Sequence, residues 1–236
     1  MREEVAAVMR EELDAFTSRG HKIPLFHASD HFADLGANAR VYAATNESAV
    51  WGSIFLKIYG AETDLGRRYF PRSLAAVRRS PLSTAMLSVV DPGRAIEWHK
   101  GFFNGILRYH LGIVVPPDVD GDGPRMLIDT STSRGSSRAE RSTVEVRWTE
   151  GGDFLFDDTF EHSVRNPTAA RRVVLFADVV RHDCPRLLAA LLHALVHHVL
   201  KHTSPMVADI AEVSDAYAAR YTRRDRRRAT AERGHA

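Results

Sequence analysis

A chain of 236 residues, 44% of them hydrophobic, is long enough for one core of ordinary size plus a small appendage. Lysine and arginine number 32 against 30 aspartates and glutamates, so the formal net charge of +2 singles out no polyanionic partner for the chain as a whole. Cys184 is the only cysteine, which excludes an intrachain disulfide and any cysteine-rich metal site within one chain.

Val5, Val8, Met9, Leu13 and Phe16 recur at helical spacing, and Gly20 stops the pattern. Charges run through this first segment, so it reads as an amphipathic helix and not as a signal peptide. After Pro24 comes a mixed stretch holding His27, His31, Phe32, Leu35 and Tyr42, whose surroundings do not strongly specify a helix. Ile54–Tyr59 predicts a strand, Asp64–Tyr69 a turn or short helix, and Ser73–Arg79 a further helix. From Thr84 the texture changes. Ala85–Val90 predicts a strand ended by the turn Asp91-Pro92-Gly93, then an extended Ala95–His99, then a strand over Arg108–Val115 that Pro116-Pro117 stops.

Residues 118–143, rich in Asp, Gly, Ser, Thr and Arg, read as turns and an exposed loop. Asp120 and Asp122 lack the spacing and closing glutamate of an EF-hand, so they predict an ordinary turn. Val144–Trp148 alternates cleanly, Glu150-Gly151-Gly152 turns the chain, and Phe154–Phe156 and Arg172–Val179 predict two more strands. Beyond Pro185, Leu187, Leu188, Leu191, Leu192, Leu195, Val196 and Val199 define an apolar helix. It is too short, and too interrupted by His193, His197 and His198, to span a bilayer, so no transmembrane segment is expected. A second helix is predicted from Val207 to Tyr221. Arg220, Arg223, Arg224, Arg226, Arg227 and Arg228 then read as a solvated helix end, without the interleaved aromatics of a specific nucleic-acid contact. Short strands separated by turns between 84 and 180 argue for an antiparallel barrel or jelly roll.

Two β-prone regions carry the chemistry. Trp98–Gly112 holds His99, Arg108 and His110; Asp157–His162 leads to Arg171-Arg172. Histidines brought together from distant strands, with arginines nearby, suit a metal and an anionic co-substrate, although neutral imidazoles accept zinc, copper and nickel as well as Fe(II). Asp157 and Asp158, just before His162, read as supports of loop geometry or as hydrogen-bond partners around a metal site. Arg171 is expected to point away from Arg172 if the strand alternates. His193, His197, His198 and His202 include i,i+4 pairs but lack His-Glu-x-x-His, so they read as structural or surface residues. No Gly-rich nucleotide loop and no Gly-x-Ser-x-Gly elbow occurs.

Taken in order, Trp51, Phe70-Pro71, Ser88–Gly93, Glu97-Trp98-His99, Leu107–Gly112, Trp148–Gly151, Phe156–His162, Asn166 and Arg172–Val179 resemble the aspartyl/asparaginyl β-hydroxylase family of iron- and 2-oxoglutarate-dependent oxygenases. The resemblance covers roughly residues 50 to 182. It implies a mainly β fold, a double-stranded β-helix (jelly roll, cupin-like) with flanking N- and C-terminal helices, as a single oxygenase domain over 1–182 and a helical extension over 183–236. It also implies that His99 and His162 hold Fe(II), that Arg108 and Arg172 hold 2-oxoglutarate, and that His110 adds a contact to that co-substrate. His99-Lys100-Gly101 lacks the carboxylate that most such enzymes carry two residues after the histidine, and members resembling this branch use water in its place.

The function implied is hydroxylation of an unactivated C–H bond with molecular oxygen. The β-carbon of an aspartyl or asparaginyl group in a free, carrier-bound or peptide acceptor leads, and lipid acyl chains remain open. Lys100, Phe102, Phe103, Asn104 and Asp158 are candidates for the substrate side of the site or for support of the metal ligands. The apolar C-terminal helix is a candidate homodimer contact, and a cytoplasmic location is expected. The competing reading is a non-enzymatic cupin-like protein that binds a small anion or acts as a regulator.

Overall fold

The computed structural model describes residues 2–24, 51–101, 103–131 and 142–233. The expectations placed on His27, His31, Phe32, Leu35, Tyr42 and Phe102, and on most of the Thr130–Arg141 loop, lie outside those residues.

The chain begins with helix α1 (Arg2–Ser18), continues through β1 (Trp51–Ile58), β2 (Ala61–Glu62), α2 (Asp64–Tyr69) and α3 (Pro71–Arg78), and then turns to strands. These are β3 (Leu82–Val90), β4 (Arg94–His99), β5 (Ile106–Val114), β6 (Arg125–Asp129), β7 (Thr143–Arg147), β8 (Asp153–Phe156), β9 (His162–Asn166) and β10 (Arg172–Val180). After β10 come α4 (Arg186–Ala194), a π-helical turn (Leu195–Leu200), α5 (Lys201–Thr203) and the long α6 (Pro205–Arg233).

The strands form a six-stranded sheet in the order β2-β1-β3-β10-β5-β8 and a four-stranded sheet in the order β4-β9-β6-β7. Every pairing between these strands is antiparallel. Two expectations are corrected here. Helices hold more residues than strands, so the class is mixed α/β and not mainly β. No ladder among the described residues joins the edges of the two sheets, so they face each other as layers and do not close into a barrel. β6, which lies inside the stretch expected to be loop, pairs with both β7 and β9.

Period-two alternation divides the large sheet between two cores. Leu87, Val89, Val173, Leu175, Leu111 and Ile113 face the helices, where they pack with Met9, Leu13, Phe16, Leu74, Ala218 and Tyr221. Met86, Val90 and Val174 face the small sheet and pack with Ile96, Met126 and Val164. The space between the sheets is therefore apolar at one end, and the candidate site residues share its walls. Phe16, His21, Tyr69 and Tyr221 form an aromatic cluster that ties α1, α2 and α6 together, with the His21 and Tyr221 rings stacked at 4.4 Å.

The turns that flank the site are held by two buried polar side chains. Asn166, fully buried, donates to the carbonyls of Val90, Asp91 and Ala170 and so fixes the β9–β10 turn against the end of β3. Glu12, from α1, accepts from the backbone N–H groups of Arg72 and Ser73, each at 2.9 Å, and from Ser73 Oγ at 2.6 Å. Helix α3 has Pro71 in its first turn and no cap from its own flanking residue, so a side chain from another helix satisfies its start. Glu12→Ala is expected to cost about 1–3 kcal/mol, because it leaves buried donors without a charged acceptor. The check is a denaturant midpoint that falls with an unchanged slope.

Candidate metal and co-substrate site

The small sheet brings His99 and His162 together. They are register partners across β4 and β9, beyond an irregularity between Ile96 and His99, and their ring centroids lie 4.2 Å apart. Each ring is oriented by a carbonyl two residues before it: Nδ1 of His99 donates to Glu97 O at 2.7 Å, and Nδ1 of His162 donates to Phe160 O at 2.9 Å. A carbonyl can only accept, so in the neutral rings the proton sits on Nδ1 and the lone pair is left on Nε2. Burial lowers the pKa of both histidines, most strongly at His162, where the neighbouring imidazole adds to it. Two neutral imidazoles with free Nε2 lone pairs form a donor set that fits a divalent transition metal. Among the described residues, no group of three or more His, Cys, Asp and Glu side chains stands ready to hold a metal ion. A metal held by the pair would keep its other positions open.

The large sheet supplies the facing charges. Arg108 on β5 and Asp178 on β10 are register partners and form an ion pair; Arg108 also pairs with Asp158 from the loop before β9 and lies 3.9 Å over the Phe176 ring. Asp158 approaches Gly101 so closely that a Cβ there would meet its carboxylate at 2.3–2.5 Å. The position two residues after His99 thus has no room for a side chain, because the carboxylate of Asp158, from the loop before β9, occupies the adjoining space. Asp158 Oδ1 is buried without a hydrogen-bond partner among the described residues. Asp157, by contrast, accepts from Thr159 and pairs with Arg181, which shapes the loop.

Deeper between the sheets lies a second polar group. Trp148 Nε1 donates to His110 Nδ1 at 3.3 Å; an indole can only donate, so His110 carries its proton on Nε2. That Nε2 is buried and has no partner among the described residues. Burial, then the nearby arginines, holds His110 well below its ordinary pKa, so it is a neutral donor. Arg172 lies 4.5 Å over the Trp148 ring, is 1% exposed, and its Nε and Nη1 have no hydrogen-bond partner among the described residues. Burial pushes its pKa down to about 9, which leaves it a cation near neutrality. Trp148 is held in place by the turn after it, whose Thr149 carbonyl comes so near Gly112 on β5 that a Cβ would stand 2.1 Å from it. Arg171 points outward and pairs with Asp91, as the alternation of β10 predicts.

A pocket opens onto the histidine end. His99, Lys100, Gly101, Arg108, Asp158 and His162 line it on the polar side. Phe55, Ile58, Phe103, Ile106, Met206 and Ile210 line the apolar side. Asn104 is exposed and is not brought to this pocket. His110 and Arg172 sit behind it, between the sheets. Sequence reasoning gave no site role to Trp148, Asp178, Met206 or Ile210. Alternation with Phe176 places Asp178 on the site face, but nothing local marks the α6 residues. Ser88 also faces the inter-sheet space and accepts from Trp51 Nε1 at 2.9 Å.

Two antiparallel sheets, flanked by N- and C-terminal helices, enclose a histidine pair with a buried arginine behind it, an arrangement consistent with a cupin-like fold. The chain belongs to the Aspartyl/Asparaginyl beta-hydroxylase family, whose model matches residues 3–182. It is 31% identical over 174 residues to the ornithine lipid ester-linked acyl 2-hydroxylase of Rhizobium tropici, a match that covers 73% of this chain and 53% of that protein. It is 27% identical over 139 residues to the human aspartyl/asparaginyl beta-hydroxylase, covering 56% of this chain and 16% of that one. The chain thus spans about half the length of the first relative and a small part of the second. Among solved structures, a Pseudomonas putida prolyl-4-hydroxylase superposes with a TM-score of 0.46 at 10% identity, over 76% of this chain and 88% of that one. A cupin domain from Bordetella pertussis tohama I gives 0.28 at 16% identity, over 42% and 80%.

Gly101→Ala is expected to push the Asp158 carboxylate away from its place between the histidines and Arg108, lowering stability by about 1–3 kcal/mol through overpacking. Thermal unfolding of the variant against the parent reads this loss, and because Gly101 has no positive φ the loss reports crowding by Asp158 and not backbone strain.

Proposed function

We propose that this protein is an Fe(II)- and 2-oxoglutarate-dependent hydroxylase in which His99 and His162 hold the metal through Nε2, and Arg172 and His110 hold the far carboxylate of the co-substrate. The observation that carries this reading is Arg172. An arginine 1% exposed, with a stacked aromatic face and no carboxylate partner among the described residues, is costly unless an anion meets it. Its Nε and Nη1, both without a partner among the described residues, and the His110 Nε2–H are donors available to a bound carboxylate. Arg108, which the family resemblance also assigns to the co-substrate, stands at the histidine end in the position that Asp158 and Asp178 fix.

Iron bound at this pair supplies the coupling of oxygen activation to decarboxylation of 2-oxoglutarate, which yields succinate, carbon dioxide and a hydroxylated acceptor. The chain's own residues bind and orient. The Nδ1–carbonyl bonds fix the tautomer and plane of each ligand ring, Asp158 Oδ1 is available to accept from a bound water, and Arg172 with His110 sets the direction of the co-substrate. Phe156 and Phe176 pack around His110 and help keep water from the slot between the sheets. On the acceptor side, Phe55, Phe103, Met206 and Ile210 favour an apolar chain, in keeping with the acyl 2-hydroxylase named above. Lys100 among the pocket-lining residues supports the second acceptor class, an aspartyl or asparaginyl group, whose carboxylate or amide oxygen accepts from an ammonium.

Titration of 2-oxoglutarate into the anaerobic Fe(II)-loaded protein tests the reading. Arg172→Lys should raise Kd by about tenfold to a hundredfold, because lysine keeps the charge and loses the planar pair of donors. Arg171→Ala should leave Kd unchanged. Equal binding by the Arg172→Lys and parent proteins would remove Arg172 from the site.

His99→Ala and His162→Ala should each abolish most Fe(II) retention while leaving the circular dichroism spectrum intact. Metal analysis after gel filtration decides this. A well-folded variant that keeps full iron content would sink the assignment of that ligand.

A further inference from the structure

The residues after 182 lie beyond the family match, yet they complete the pocket. Val196, Val207 and Ile210 bury against Ile58 and Tyr59, with Phe103, Leu200 and Met206 packed around them. Leu192 of α4 closes on the Phe103–Gly105 turn, its methyl 3.0 Å from where a Cβ on Gly105 would stand. One side of the α4–α5 segment therefore backs onto residues that line the site.

Its other side is apolar and exposed. Leu187 is 74% exposed, Leu191 58%, Leu188 46% and Val199 45%, so this segment holds half of the large hydrophobic residues that the described chain presents to solvent. The charges around them have one sign. Between Asp183 and Asp209 there is no aspartate or glutamate, while Arg186, Lys201, His193, His197, His198 and His202 all fall in that interval. Neither Arg186 nor Lys201 has an ion-pair partner among the described residues. No helix of the described residues is long and apolar enough to cross a membrane. Exposed leucines bordered by cations and no carboxylates are the composition of a helix that lies in an anionic lipid interface. A second copy of the same face would set Arg186 and Lys201 against their own kind, which argues against self-association here.

We infer that the segment from Arg186 to Thr203 docks the protein on an anionic lipid bilayer, with Leu187, Leu188, Leu191 and Val199 entering the headgroup–acyl boundary. Because Leu192 and Val196 of the same segment back onto Phe103, Met206 and Ile210, docking places the apolar side of the pocket next to the lipid surface. It extends the acyl-acceptor reading above, but membrane contact is measured without turnover, so the two fail independently.

The experiment is sedimentation of the full chain with vesicles of phosphatidylcholine alone or with phosphatidylglycerol added, scanned over salt. The parent protein should pellet with the phosphatidylglycerol vesicles, and less so as salt rises. Leu187→Ser with Leu191→Ser should weaken that binding by about tenfold or more, since two exposed leucines lose their apolar contact. Arg186→Glu with Lys201→Glu should erase the preference for the anionic vesicles. Arg186, Leu187 and Leu191 are exposed and Lys201 is partly so, and none of the four lines the pocket, so circular dichroism and anaerobic 2-oxoglutarate binding should match the parent in both variants. The proposal is overturned if the parent stays in the supernatant with both vesicle types, or if it binds with an affinity that neither variant changes. Analytical ultracentrifugation showing a dimer that Leu187→Ser with Leu191→Ser dissociates, with no vesicle binding, would assign the face to a second copy instead.

Discussion

The strict alternation of β10 is the constraint on which the rest of the molecule depends. This strand sits in the middle of the large sheet and has both faces covered. Val173, Leu175 and Ala177 go to the helices; Arg172, Val174, Phe176 and Asp178 go to the space between the sheets. A slip of one residue would send a guanidinium and a carboxylate into the helical core and three aliphatic side chains into the site. The pairing with β3 runs from Arg172↔Val90 to Val179↔Leu82, so the hydrophobic pattern of two neighbours fixes the placement of the charges.

The two arginines on the site face meet burial in opposite ways. Arg108 is neutralised within the chain, by Asp158 and Asp178, and it draws the β8–β9 loop onto β5 in doing so. Arg172 is deeper, and its support is the face of Trp148, a weaker partner than a carboxylate. The arrangement gives the histidine end a guanidinium already paired with two carboxyl groups and the far end a guanidinium without a carboxylate partner among the described residues. An anionic group at the far end suits that asymmetry, and its binding would return some of the stability that the buried cation costs.

Much of this was legible in the sequence, for identifiable reasons. His99, His162, Arg108, His110 and Arg172 stand in short strands whose apolar neighbours announce themselves locally, so their order alone pointed to a shared site. The outward turn of Arg171 followed from counting residues. β6 was missed because Asp120–Gly123 and the Ser/Arg-rich stretch on either side drown a five-residue strand, although Met126 and Ile128 keep the period of two. The extent of α6 was missed because its apolar positions thin out after Tyr221; the helix nevertheless continues to Arg233. The open, two-layered character of the sheets was invisible, since closure depends on which edges meet and not on the pattern within any strand. Nor could local sequence reveal that Met206 and Ile210 reach the pocket, because that contact is set by packing between elements far apart in the chain.

The aromatic cluster at the edge of the helical layer has a kinetic consequence. His21 meets Asp225 at 3.2 Å across a sequence separation of 204 residues, and its ring stacks on Tyr221 of the same helix. Closing so long a loop is entropically slow, whereas the β1–β3 and β5–β8 ladders join segments much nearer in the chain. The sheets can therefore assemble while α6 is still undocked, and α6 carries Met206 and Ile210. The histidine pair and the buried arginine would then take shape early in folding, and the apolar wall that gives the pocket its acceptor side would arrive as the final event.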